Sequence, residues 1–142
     1  MAADNRSLLL ALEWVRAADR QLELARAAAE RGMGNETVSL AAAAAERYLK
    51  ATLAQANEAF EYTHNIDRLF GKFAPDVQSA LASAFTPRIR QQLSDGGTVA
   101  RYPGGPAYSL EAARGVLAAV EAARLALRAV RPALFQDDGV TE

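Results

Sequence analysis

The side chains able to do chemistry are concentrated in one stretch, SLAAAAAERYLKATLAQANEAFEYTHNIDRLFGKF, from Ser39 to Phe73. Glu46 and Lys50 stand four residues apart in the acid-before-base order that lets a pair meet on a helix face, worth about 0.2–0.5 kcal/mol when exposed. Beside an apolar seam the same two groups can instead reach across to neighbouring helices. His64, the only histidine, falls in the first turn of the next helical segment, with Thr63 as its cap, where the positive end of the helix dipole opposes protonation. A neutral imidazole there can cap, accept a hydrogen bond or act as a base, so a packing role and a functional role both stay open. Arg101 and Tyr102 lie in the longest stretch without helical patterning, TVARYPGGPAYS from Thr98 to Ser109, and long ordered loops in small domains are disproportionately functional. If that loop folds over the start of the third helix, His64, Arg101, Lys50 and Glu46 converge as a base, a cation and a polar pair.

Composition narrows the chemistry further. There is no cysteine and one histidine, which excludes disulfides, zinc–thiolate sites, cysteine nucleophiles and multi-histidine metal sites within one chain, and neither metal nor cofactor is expected. A net charge of -1 with a pI near 5.9 argues against a chain whose main task is to coat nucleic acid, which needs a local excess of lysine and arginine. The LLLAL run near the N-terminus is too short for a secretory core and is followed by Glu13 and Arg16, and no later stretch holds the ~18 apolar residues of a membrane span. A soluble, cytoplasmic protein is the expectation.

These residues must be positioned by helices. At 142 residues the chain fits one domain, 1–142, able to bury about 68–70% of its extended-chain surface, with residues 1–6 and 136–142 (QDDGVTE) expected as flexible tails. The first helix spans 7–31, with Ser7 as N-cap and Gly32 as stop. Its stripe of Leu8, Leu12, Val15, Leu22, Ala25 and Ala29 is interrupted by Asp19, which either reaches solvent or one surface arginine at the stripe's edge, or faces a basic group on a neighbouring helix. Trp14 sits at the edge of that stripe, as a packing residue or a subunit contact. The second helix, 37–57, carries five consecutive alanines, Ala41 to Ala45, that admit close neighbours on more than one side and make it the central helix.

A third helix packs through Ile66, Leu69, Phe70 and Phe73. A fourth region opens at Pro75 and restarts at Thr86-Pro87, with Val77, Leu81, Phe85, Ile89 and Leu93 facing inward. Ser109 caps the last helix, whose seam runs Val116, Val120, Ala123, Leu127, Val130 and Leu134. Arg124, Arg128 and Arg131 share another face, read as solvated and partly paired with Glu121, or else as a phosphate-contacting strip. The fold class is all-α, a bundle of helices.

The order of EWVRAADRQLELA, AAAAAERYLKATL, YTHNIDRLF and ARYPG resembles the HEPN family of small helical domains along nearly the whole chain, with Arg47 a departure from the common lysine. The resemblance implies an up-and-down bundle of four to five helices, similar to nucleotidyltransferase substrate-binding subunits and commonly dimeric. It also implies two kinds of activity. Many members resemble metal-independent endoribonucleases, toxins or defence effectors, with an arginine separated from a following histidine by four to six residues; the histidine moves a proton at the ribose hydroxyl and the arginine stabilises the pentavalent phosphate. Here Asn57, Glu58 and Ala59 occupy the positions for that arginine, so the ribonuclease motif is absent.

The other branch comprises non-catalytic proteins that bind a nucleotide or another polyanion, or partner minimal nucleotidyltransferases in toxin–antitoxin-like or defence settings. The resemblance then assigns phosphate contact to Lys50, His64 and Arg101, and base stacking to Tyr102. Asp19 and Glu46 serve as a structural polar network, with ties from Asp19 to Lys50 and from Glu46 to Arg101 or Tyr102. Two alternatives accompany this non-enzyme reading: a non-standard ribonuclease around His64 and Arg101, and a module that only dimerises.

Overall fold

The computed structural model describes residues 2–56, 66–97 and 107–136. Its helices are α1 (Ala2–Glu30), α2 (Gly34–Gln55), α3 (Ile66–Phe70), α4 (Pro75–Leu81), α5 (Pro87–Gly97) and α6 (Leu110–Val130), with no strand among the described residues. The all-α expectation holds. Among the described residues the helices number six because the fourth region divides in two: Pro87 has no N–H to continue a helix, and the Thr86 hydroxyl accepts from Ile89 N at 3.2 Å to start a new one.

The chain departs from the sequence reading at several points: α2 begins at Gly34 and ends at Gln55 rather than spanning 37–57, and three further places matter more. The first is the start of α1, at Ala2, so Ser7 lies inside the helix rather than capping it and residues 2–6 are helical rather than a loose tail. No proline or glycine stands in that segment to stop the helix. At its other end Gly32 takes φ +74°, and Gly32 N and Met33 N donate to the carbonyls of Ala29 and Ala28 at 3.0 Å each, closing α1 with the paired bonds of a Schellman motif. The second is the end of α6, at Val130. Leu134 therefore does not extend its seam along the helix; it folds back with Phe135, and the two are 1% and 0% exposed. The third is Gln136, expected in the C-terminal tail: its carbonyl accepts from Arg124 Nη2 at 3.0 Å.

Pairwise contacts set the directions. Trp14 lies against Lys50 and Asp19 against Tyr48, so α1 and α2 run antiparallel. Arg26 meets Glu121 and Asp19 meets Arg124, so α1 and α6 are antiparallel too, and α2 and α6 run parallel. Their N-termini are joined where Tyr108 N donates to Asn35 Oδ1 at 2.8 Å. The end of α5 approaches the start of α2 at Val38 and Ala42, giving an up-and-down arrangement; α3 lies alongside α5, where Ile66 N donates to Ser94 Oγ at 3.0 Å, and α4 packs on α6 at the end of the bundle where α2 and α6 finish.

Helix α2 is central, as its alanines implied: Val38, Ala41, Ala42, Ala44, Ala45, Leu49 and Ala51 are all at most 2% exposed. Small side chains let α1, α5 and α6 approach this closely. Two glycines extend the same logic. A Cβ on Gly34 would clash with the Tyr108 carbonyl oxygen, and one on Gly96 would lie 2.7 Å from Val38 Cγ1 and 3.0 Å from the Val38 carbonyl oxygen.

Gly96→Ala should therefore destabilise the protein by about 1–3 kcal/mol through overpacking, despite alanine's better helix propensity. Gly115 lies in α6 with nothing within 4 Å of a built Cβ, and Gly115→Ala should stabilise by about 0.5–1 kcal/mol. Urea denaturation of the two variants checks the contrast, and a stabilised Gly96→Ala would contradict the close approach of α5 to α2.

Candidate functional site

Two polar clusters are built into the helices that enclose α2. The first centres on Asp19. Tyr48 is 1% exposed, so its hydroxyl must find a partner inside the protein, and it donates to Asp19 Oδ1 at 2.5 Å. Arg124 forks onto the same carboxylate, Nε to Oδ1 at 2.7 Å and Nη2 to Oδ2 at 3.0 Å, and Nη2 also reaches the Gln136 carbonyl. The Phe135 ring lies 5.7 Å from the Tyr48 ring. One carboxylate thus joins α1, α2 and α6, and the arginine adds the C-terminal fold-back.

The electrostatics follow from burial. Desolvation is the main reason the Tyr48 phenol is pushed far above its ordinary range, and the hydrogen bond and negative charge of Asp19 act in the same direction. Burial by itself would lower the Arg124 pKa, but the Asp19 carboxylate more than offsets it and the net shift is upward. Tyr48 and Arg124 stay protonated throughout the physiological range. This cluster holds helices together and offers no group poised for proton transfer.

The second cluster is the Glu46–Lys50 pair. Lys50 Nζ donates to Glu46 Oε2 at 2.6 Å, with side-chain exposures of only 6% and 15%, and the ammonium lies 5.8 Å from the centre of the Trp14 ring. The i,i+4 spacing is realised, but in an enclosed setting rather than on a solvated face. Burying an ammonium is tolerated because a carboxylate and an aromatic face replace its hydration. The pair sits in the half of α2 that leads towards residue 57.

The Asp19–Lys50 tie is not formed, because each group has a nearer partner of its own: Arg124 and Tyr48 take Asp19, and Glu46 takes Lys50. Arg124, Arg128 and Arg131 do not act as one strip. Arg124 is committed to Asp19, and Arg131, beyond the end of α6, pairs with Asp76 at 2.7 Å. Glu121 pairs with Arg26 of α1 rather than with an arginine of α6. The hydrogen bond from Arg131 is the main cause holding the Asp76 carboxyl below its usual range. His64 with its cap Thr63, and Arg101 and Tyr102, lie outside the described residues, as do the ties expected from Glu46 to Arg101 or Tyr102. Among the described residues no group of three histidine, cysteine or acidic side chains could hold a metal ion.

Sequence reasoning missed Tyr48 and Arg124 as members of the Asp19 cluster. Asp19 in an apolar stripe did signal a buried partner. Nothing in the sequence singles out Arg124 from Arg128, one turn away.

The raised Tyr48 pKa fixes the sign of a pH effect. Below pH ~10, the ordinary tyrosine value, the phenol is neutral whether folded or unfolded and its stabilisation is fully present; above it the unfolded chain loses the proton first and stability falls. The wild type should lose up to about 1.4 kcal/mol per pH unit more steeply than Tyr48→Phe between pH 10 and 11.5, measured by urea denaturation. Separately, Glu46→Leu should cost about 2–4 kcal/mol by leaving the Lys50 ammonium without its carboxylate, and adding Lys50→Met should recover part of that. A double-mutant cycle should give a coupling of about 1–2 kcal/mol, and strict additivity would contradict the direct pair.

No curated protein and no solved structure matches this chain. A family model described as the HEPN domain matches residues 11–131, a span that begins within α1 and ends just past α6, taking in both polar clusters. With the helical bundle and the matched span in agreement, the chain belongs to the HEPN domain family.

Proposed function

We propose that this HEPN-domain chain is non-catalytic and binds a nucleotide or another polyanionic ligand, working as a cytoplasmic homodimer with a minimal nucleotidyltransferase as a further partner. The observation that carries the reading is the sequence before the sole histidine: Asn57, Glu58 and Ala59 stand where a ribonuclease of this family would need its arginine. His64 without that cation keeps its capacity to donate and accept hydrogen bonds, which suits recognition better than phosphodiester cleavage. In this reading His64 and Arg101 contact phosphate and Tyr102 stacks on a base. Lys50, paired with Glu46 and only 5% exposed, supports the site as part of a buried charge pair rather than as an open phosphate contact.

Self-association draws support from apolar residues left exposed on α1. Leu10, Ala17 and Leu24 recur at seven-residue spacing, Leu10 and Leu24 are 51% and 53% exposed, and Leu40 of α2 is only partly buried beside the core. Apolar side chains aligned this way on one face are a feature of subunit contacts.

Thermal unfolding with ATP, GTP and short RNA tests the ligand. A ligand at a hundredfold its dissociation constant adds about 2.7 kcal/mol, on the order of a 5–10 °C rise in Tm, which Arg101→Ala should abolish. Absence of any shift would remove the nucleotide reading. RNA cleavage without metal that disappears in His64→Ala would replace it with the ribonuclease. Sedimentation at micromolar concentration should show a dimer that Leu24→Glu dissociates, and a wild-type monomer would end the dimer claim.

A further inference from the structure

At the end of the bundle where α2 and α6 finish, a cleft of about 220 Å³ opens between the last turn of α2, the turn from α3 into α4, and Arg131. Its floor is apolar, built from Leu53, Phe73 and Val77, which are 2%, 6% and 2% exposed. Thr52 also lines it, but the Thr52 hydroxyl is spent on the Leu49 carbonyl at 2.8 Å. The polar groups that give the cleft its character are therefore two cations, Lys72 and Arg131.

The two cations differ in what they have left to offer. Arg131 is held in place by Asp76, through Nη1 at 2.7 Å and Nη2 at 3.2 Å, and by the Val130 carbonyl at 2.7 Å. Its Nε and one Nη2 hydrogen remain to donate. Lys72 is exposed and its ammonium forms no hydrogen bond or ion pair among the described residues. Counting Lys72, Arg131 and Asp76, the rim carries a net charge of +1. The carbonyl ends of α2 and α6 finish on this side and add partial negative charge, which the N-terminus of the short α4 at Pro75 offsets only in part. That balance suits a single negative charge and opposes a phosphate dianion, which would face the Asp76 carboxylate and two helix C-termini.

We infer that this cleft is a binding site for a small organic monoanion, a carboxylate joined to an apolar body, with the carboxylate on Lys72 and the free edge of Arg131 and the body on Leu53, Phe73 and Val77. At about 220 Å³ the cleft is smaller than the ~300–1,000 Å³ of sites for drug-sized molecules, which suits a ligand of about ten non-hydrogen atoms. Ligands of that size in an open cleft reach dissociation constants on the order of 1 mM. The site shares no residue with the nucleotide reading, and the two stand or fall separately.

The test is a titration of the full-length protein with benzoate, hexanoate and indole-3-acetate, following backbone amide shifts by NMR, with benzamide and inorganic phosphate as comparisons. At least one carboxylate should shift the amides of residues 72–77 saturably, benzamide should bind at least about tenfold more weakly, and phosphate should leave them unmoved. Lys72→Gln should weaken binding about five- to tenfold. Ala74→Phe, at an exposed position on the cleft wall, should abolish binding without lowering the Tm. No saturable shift with any of the three carboxylates, equal binding of benzamide, or unchanged affinity in Lys72→Gln would each overturn the assignment.

Discussion

The structure depends on the enclosure of α2. A helix surrounded by α1, α5 and α6 loses water from most of the side chains it carries, and a buried polar group without a partner costs about 1–3 kcal/mol. Each polar residue on its buried surface accordingly has one. Thr37 and Thr52 return their hydroxyls to carbonyls of their own helix region, Tyr48 gives its hydroxyl to Asp19, and Lys50 gives its ammonium to Glu46. Among the described residues the exception is Gln55 Oε1, a buried acceptor with no partner, at the last residue of α2.

That requirement also explains the bundle's registry. Alanine and glycine packing is permissive about sliding, because small side chains make shallow ridges. A carboxylate that must meet one phenol and one guanidinium is not. Asp19 pins α1 against α2 through Tyr48 and against α6 through Arg124, and Arg124 carries the constraint on to the C-terminal fold-back through the Gln136 carbonyl. At the other end of α2 and α6, Asn35 and the close approach of Gly34 to Tyr108 hold the two N-termini together. The polar contacts supply specificity, and the apolar seams supply most of the burial.

The division of labour between the clusters bears on function. The Asp19 cluster is saturated: burial and the Asp19 carboxylate keep the phenol protonated, and the same carboxylate keeps the guanidinium charged against its burial, which fits a structural tie. The Glu46–Lys50 pair is a buried charge pair on the segment of α2 that leads to the histidine region. Retaining a lysine in so enclosed a place is costly for stability alone, since a well-packed apolar pair is often as good or better.

The sequence by itself determined the helical class, the central place of α2, the cap at Ser109, the restart at Thr86-Pro87 and the Glu46–Lys50 pair, because each rests on local chemistry: propensity, periodicity, capping hydroxyls and i,i+4 spacing. Family membership was legible in the order of four short segments. Tertiary structure alone decided what Asp19 meets. Local spacing offers Arg124, Arg128 and Arg131 equally, and only the antiparallel register of α1 and α6 brings Arg124 onto Asp19, Arg26 onto Glu121, and leaves Arg131 for Asp76. The same holds for Leu134 and Phe135, whose burial depends on the chain turning back after Val130 to reach Tyr48. Partner choice between distant charges is a property of how whole helices pack, which no window of neighbouring residues contains.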